Sequence, residues 1–299
     1  LWIVLCASIF FAIPLQAGPL DLDEVSAKAK WAAHLDLEGL FSSRIGGLFK
    51  DALEEEGAMA KIDAFGTIFE FNILEDLHSI TAYGTSFEKE EAVGIFKGRF
   101  DEKKILALMG IEGTCRDFKH RGHTIHEWKD SHERFYINFL DSDGVMVSNS
   151  EELMKEAVEV LDGEQDSLDD RDGLKGLRSL PRHAFLAAAA QDFSKLAGCG
   201  DEPQAAMLKK AQEVRVVIGE SEGMNYLDVT LATKDRETSQ QVHDIVKGLI
   251  ALGTIFSQDE PELAWLVEHA EVERDGRLVS IREAVPSDKL MKMLKDSMH

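Results

Sequence analysis

An α+β fold with mainly antiparallel sheet is the class this sequence predicts, and three observations predict it. Stretches of apolar–polar alternation recur along the chain, which is the period of a half-buried strand. Between them lie runs with apolar residues three and four apart, the period of an amphipathic helix. Gly-containing turns join neighbouring alternating stretches, so consecutive strands are expected to pair as hairpins.

The elements follow in order. Residues 1–17, LWIVLCASIFFAIPLQA, carry no charge and are almost wholly apolar. They read as the apolar stretch and cleavage end of a signal peptide, and fall short of the roughly 20 residues of a membrane span. A retained anchor is the alternative. Residues 21–30 are a polar lead-in. WAAHLDL (31–37) reads as a buried strand. Helical spacing follows from Glu38 to about Gly57, with apolar residues at 40, 41, 45, 48, 49 and 53. Residues 62–74 fit either a helix or an extended loop. HSITAYGTSF (78–87) and EEAVGIFKGRF (90–100) both alternate and predict a hairpin. Residues 101–111 predict a short helix with acids in its first turn. Residues 115–130 predict a hairpin turning at Arg121-Gly122, and 133–150 another turning at Ser142-Asp143-Gly144. Ser150 is placed to N-cap a helix over 150–163, with apolar residues at 153, 157, 160 and 161.

EQDSLDDRDG (164–173) is polar and lacks apolar periodicity, so 164–179 reads as a linker. After it the pattern begins again. Residues 182–196 are a strand feeding a helix. Residues 213–235 are a strand pair turning at Ser221-Glu222-Gly223, and 237–252 an amphipathic helix. Residues 270–285 are a hairpin turning at Arg274-Asp275-Gly276, and 287–298 a closing helix. In this scheme the hairpin at 270–285 corresponds to the one at 115–129. The repeated order predicts a duplication, with a first module at 18–163 and a second at 180–299. Each is expected to be a ferredoxin-like strand–helix–strand–strand–helix–strand unit with its helices on one side of the sheet.

Composition narrows the function classes. Of 299 residues, 44% are hydrophobic and 29% charged, which suits a chain that buries a core. The formal charge of −22 opposes binding to nucleic acid or anionic lipid. No second segment is long and apolar enough to span a membrane, so the mature protein is expected to be exported, to a periplasm or outside the cell. Beyond the leader only Cys115 and Cys199 remain. They form one disulfide or stay as two free thiols, and no CxxC supports redox chemistry.

KHRGHTIHEWKDSH brings His120, His123, His126 and His132 close together in sequence. Imidazole is the commonest metal-ligand side chain, so His120, His123 and His126 are candidate ligands for a divalent metal. Strand alternation works against them, because His123 and His126 point to opposite faces unless a bulge intervenes. DSDG (141–144) resembles the start of a calcium loop, but Val145-Met146-Val147 follows at once and makes it a hairpin turn. HExxH and the Gly-rich phosphate loops are absent, and the one GxSxG match, Gly219 to Gly223, spans the turn of a predicted strand pair, where a nucleophile elbow needs a strand entering a helix. Asp36 and Asp192 sit at strand-to-helix junctions, where N-capping is the simplest role for a carboxylate. Trp31, Trp128, Phe135 and Tyr136 fall in strand patterns and read as core.

KWAAHLDLEGL, EDLHSITAYGTSF, GHTIHEW and ERDGRLVSIREAVPSDKL carry a resemblance. The chain resembles an uncharacterised family of exported bacterial proteins of the planctomycete type. The resemblance implies secretion and an α+β fold, supplies no catalytic residues, and places His123 and His126 within a shared motif. Together these features lead to an exported non-enzymatic cell-envelope protein that presents a sheet or groove surface to a protein or small-ligand partner. A metal-binding protein or metal-dependent enzyme using the His120–His132 hairpin is one alternative. A small-ligand carrier with an apolar groove between the modules is another.

Overall fold

The computed structural model describes residues 20–55, 60, 66–67, 72–87, 91–131, 133–140, 144–193, 209–256 and 261–297. The first half contributes β1 (Trp31–Asp36), β2 (Leu77–Gly84), β3 (Val93–Gly98), β4 (Thr114–His120), β5 (His123–Lys129), β6 (Arg134–Leu140) and β7 (Gly144–Ser148). The second half contributes β8 (Ala184–Gln191), β9 (Ala211–Ser221), β10 (Met224–Thr233), β11 (Glu271–Asp275) and β12 (Leu278–Pro286). The helices are α1 (Leu37–Ser42), α2 (Arg44–Glu55), α3 (Ile73–Asp76), α4 (Glu102–Glu112), α5 (Glu151–Leu161), α6 (Arg236–Phe256), α7 (Pro261–His269) and α8 (Ser287–Ser297). None of the described helices is long and apolar enough to cross a membrane.

All twelve strands join one antiparallel sheet, ordered β11-β12-β10-β9-β8-β1-β2-β3-β7-β6-β5-β4. β1 and β8 lie side by side at the junction of the halves, with Ala33 opposite Ala188. This differs from the ferredoxin-like expectation. A split βαβ unit sets its first and third strands side by side and parallel. Here β1 pairs with β2, β2 with β3, and both pairs are antiparallel. The hairpin correspondence shifts as well. β12 lies beside β10 as β7 lies beside β3, so the β11–β12 hairpin sits where β6–β7 does. The β4–β5 hairpin lies at the outer end of the first half, and no described strand takes the matching place in the second.

Register shows where the core lies, because successive side chains point to opposite faces. One row crosses every strand: Asp117, His126, Ile137, Val147, Gly94, Ala82, Ala33, Ala188, Val216, Val229, Ile281 and Val272. The neighbouring row, on the opposite face, passes through Tyr136, Ser148, Val93, Tyr83, Ala32 and Ala189 to Arg215, Thr230, Ser280 and Glu273. That second face is buried in the first half, under Leu153, Met154, Ala157 and Val158 of α5 and under Val25, Leu168 and Leu174. In the second half it is charged. Arg215 reaches Asp228 at 2.8 Å, and Arg282 bridges Asp228 at 3.2 Å and Glu273 at 2.7 Å. Burial works against the Asp228 carboxylate, but Arg215, Thr230 and Arg282 outweigh it and hold its pKa below the usual value.

The core of the second half lies on the other face. There Val242 and Val246 of α6 cover Leu231 and Val279, with Val229, Val272 and Ile281 beside them. The two cores therefore occupy opposite faces of one sheet, and the helices are not confined to one side. Alternation gives each strand an apolar face but leaves open which face of a shared sheet it is.

Two local expectations also change. The helix predicted from residue 38 is two helices, α1 and α2. Ser43 breaks it by donating its hydroxyl to the Leu40 carbonyl at 2.6 Å and accepting the Gly46 N–H at 3.0 Å. The polar stretch 164–179 is a packed connection. Leu168, Leu174 and Leu177 are buried in the first core, and the Leu168 N–H donates to the Val25 carbonyl at 2.8 Å. Gly57, most of 62–74 and the helix expected after β8 lie outside the described residues.

Candidate functional site

The histidine hairpin is the first candidate. Arg121 and Gly122 both adopt positive φ, at 52° and 93°, which makes the tight turn that the sequence predicts. His120 and His123 form a cross-strand pair. Nε2 of His120 lies 2.9 Å from Oε1 of Glu159, and Nε2 of His123 lies 3.0 Å from Oδ1 of Asp162. Arg121 adds an ion pair to Glu164 at 3.0 Å. The hairpin tip thus docks on the C-terminal end of α5, where positive charge also suits the helix dipole. The His120 bond is the main cause holding the Glu159 carboxylate below its usual pKa.

His126 projects from the opposite face. Its Nδ1 is 2.9 Å from Oδ1 of Asp117, and its ring meets Phe139 edge-on. No bulge brings it round to His123. The three candidate ligands are therefore not brought together, and no group of three potential ligands that could hold a metal occurs among the described residues. His132 lies outside those residues. Cys115 is an exposed free thiol, and Cys199 is not among the described residues.

The junction carboxylates are the second candidate. β1 and β8 run antiparallel, so Asp36 and Asp192 lie at opposite ends of the sheet and do not act as a pair. Asp36 N-caps α1 by accepting the Gly39 N–H at 2.8 Å. Burial raises its pKa, the Gly39 bond opposes this, and neighbouring Glu38 adds to the rise. Asp192 has φ of 63° and pairs with Lys30 at 3.1 Å.

The Asp36 environment predicts a pH effect. Native Asp36 holds its proton more tightly than an unfolded carboxyl, whose pKa is about 3.9. Its favourable contribution is present below that value and is lost as pH rises through the native value. Asparagine keeps the cap acceptor and never ionises. In urea titrations from about pH 3 to about pH 8, Asp36→Asn is expected to gain stability relative to the parent as pH rises, then level off. A difference that moves the other way would refute this account of Asp36.

The third candidate was not legible in the sequence. A cleft of about 650 Å³ opens beside the Asp192 end of the central strands. Its walls come from before β1 (Lys30), the connection between the halves (Lys175), the start of β9 (Lys209, Glu213), and the last hairpin (Arg277). A second cleft of about 270 Å³ shares Lys209 and adds Lys210 and Lys234. Several of the acids here are already engaged. Asp192 pairs with Lys30, and Asp172 with Lys175 at 3.2 Å. Glu213 accepts the N–H groups of Lys175 and Gly176 at 3.0 and 2.7 Å. Asp235 accepts the Thr238 N–H at 2.7 Å, which is the main cause lowering its pKa. Thr233 donates its N–H and its hydroxyl to the Arg277 carbonyl, both at 2.9 Å, and fixes the Arg277 turn against β10. These bases are scattered over residues 30 to 277, and only the strand order gathers them.

No family model and no curated protein matches the chain. Among solved structures, the chain is similar to crystal form III of a protein titled TP0453. The TM-score is 0.52 at 10% identity, covering 93% of this chain and 98% of that one. Crystal form I of the same protein scores 0.49 at 11% identity, covering 93% and 98%. The first likeness places the chain among α+β folds of this kind and speaks to fold alone.

Proposed function

We propose that this chain is an exported, non-enzymatic protein of the cell envelope that holds a partner in the groove at the Asp192 end of its sheet. The observation that carries the reading is the composition of that groove: elements far apart in sequence converge on one open cleft. The residues predicted as ligands or catalytic carboxylates, by contrast, are occupied by neighbours. Histidines 120, 123 and 126 each face a carboxylate, and Asp36 caps a helix. The charged walls of the cleft favour a polar occupant over the apolar one a lipid-type carrier would take. The apolar residues 1–17 and the resemblance to exported proteins support the location. We also read the two halves as repeats. Their strands run outward from β1 and β8 in matching order, β1-β2-β3-β7-β6 and β8-β9-β10-β12-β11.

Amide hydrogen exchange on the purified exported protein tests the groove. It would be run with and without an envelope extract of the producing cells. Slowed exchange is expected around Lys30, Gln191, Glu213, Thr233 and Arg277. Protection confined to another surface, or turnover of a substrate that a point mutation abolishes, would sink the reading.

A further inference from the structure

Building on the groove reading, we infer that its occupant is a small ligand carrying two or more anionic oxygen groups, of the phosphate or carboxylate kind. The whole chain has 33 basic residues against 55 acidic ones. Among the described residues that line these two clefts the ratio inverts, with six bases facing five acids. Arg277, Lys209 and Lys210 have no carboxylate partner among the described residues; Lys210 spends one donor on Gln241 at 2.9 Å. Lys234 has only a 3.9 Å approach to Asp235. Unpaired guanidinium and ammonium groups around a concave site are the donors that phosphate and carboxylate oxygens require. Arginine adds a planar fork that matches either group.

Two neighbouring clefts that share Lys209 in their walls favour a ligand with more than one anionic group over a single ion. The size of the ligand follows from screening. At physiological salt, charges beyond about 8 Å are largely screened. A small multianion therefore responds to the local bases, whereas a nucleic acid or an anionic membrane would lie against much more of a surface whose net charge is −22.

Isothermal titration calorimetry on the purified exported protein is the test, with inorganic pyrophosphate and citrate as probes. Saturable binding is expected, weakening as salt rises. Lys209→Glu and Arg277→Glu, both at exposed positions, are each expected to weaken it about tenfold, the loss of one charge-assisted contact. Lys129→Glu, on β5 at the far end of the sheet, is expected to leave it unchanged. Melting curves check that each variant is folded. Three outcomes would overturn the inference: no heat with either probe, equal loss with Lys129→Glu, or binding only of a long polyanion such as heparin. If the probes fail while envelope extract still protects the groove in exchange, the anion assignment falls and the groove reading stands. If both fail, the groove reading falls with it.

Discussion

Met154→Ala is expected to destabilise the protein by about 2–5 kcal/mol, the range for truncating a buried methionine. Met154 is fully buried on α5, within the cluster that includes Ile95, Met146 and Tyr83 of the sheet. Two parts make up the loss. Its side chain no longer leaves water on folding, and the space it filled is only partly recovered by relaxation. The neighbours restrict that relaxation. Val158 and Ala157 of the same helix are themselves fully buried, so α5 has little freedom to settle toward the sheet. Chemical denaturation of the two proteins side by side gives the difference. A loss below about 1 kcal/mol would mean that the site collapses freely and that α5 is not anchored as described.

Gly219→Ala is the second large effect, expected to cost about 1–3 kcal/mol or somewhat more, as overpacking does. Gly219 lies opposite Ala184 on β8 and Tyr226 on β10. A methyl group there would press into the His183 carbonyl and the ring and hydroxyl of Tyr226, closer than real contacts allow. Backbone on one side and a ring on the other leave no flexible chain end to swing away. The Tyr226 hydroxyl is buried without a hydrogen-bond partner among the described residues, and burial raises its pKa, so displacing that ring disturbs an already polar-poor spot. The double variant Gly219→Ala, Tyr226→Phe is expected to recover only part of the loss, since the His183 carbonyl remains in the way. Full recovery would shift the blame to the hydroxyl alone.

These effects rest on elements that the sequence foretells to different degrees. Helix α5 was legible because Ser150, its apolar spacing and its length agree, and the Ser150 hydroxyl does accept the Leu153 N–H. The β9–β10 turn was legible because glycine tolerates the positive φ that Gly223 adopts at 76°. The phase of the strands was not legible. Val217 and Val216 look alike in sequence, yet Val217 shares a face with Asp228 and Val216 with Val229. Only pairing with β8 decides which of them meets which core. The histidines illustrate the same limit from the other side. Alternation alone separates His126 from His123, and that part of the reading needed no structure. What sequence could not supply was the partner of each ring, because Glu159 and Asp162 come from the last turn and the C-cap of a helix that follows two further strands. The basic cleft was hidden for a related reason: it has no motif, and six ordinary surface residues acquire meaning only through strand order.

The unequal halves of the sheet bear on how such a chain tolerates change over time. Seven strands lie on one side of the β1–β8 junction and five on the other, and the surplus is the outermost hairpin. Both terminal strands are largely exposed, and charged residues such as Arg116, Asp117, Glu271 and Glu273 stud them. Charge along an open edge discourages addition of a foreign strand. A hairpin encoded within the same chain meets that edge at high effective concentration and brings its own pairing. The architecture is therefore open to growth or trimming at its rims while every interior register stays fixed. Relatives of this protein should vary in strand number at the two ends and hardly at all in the middle.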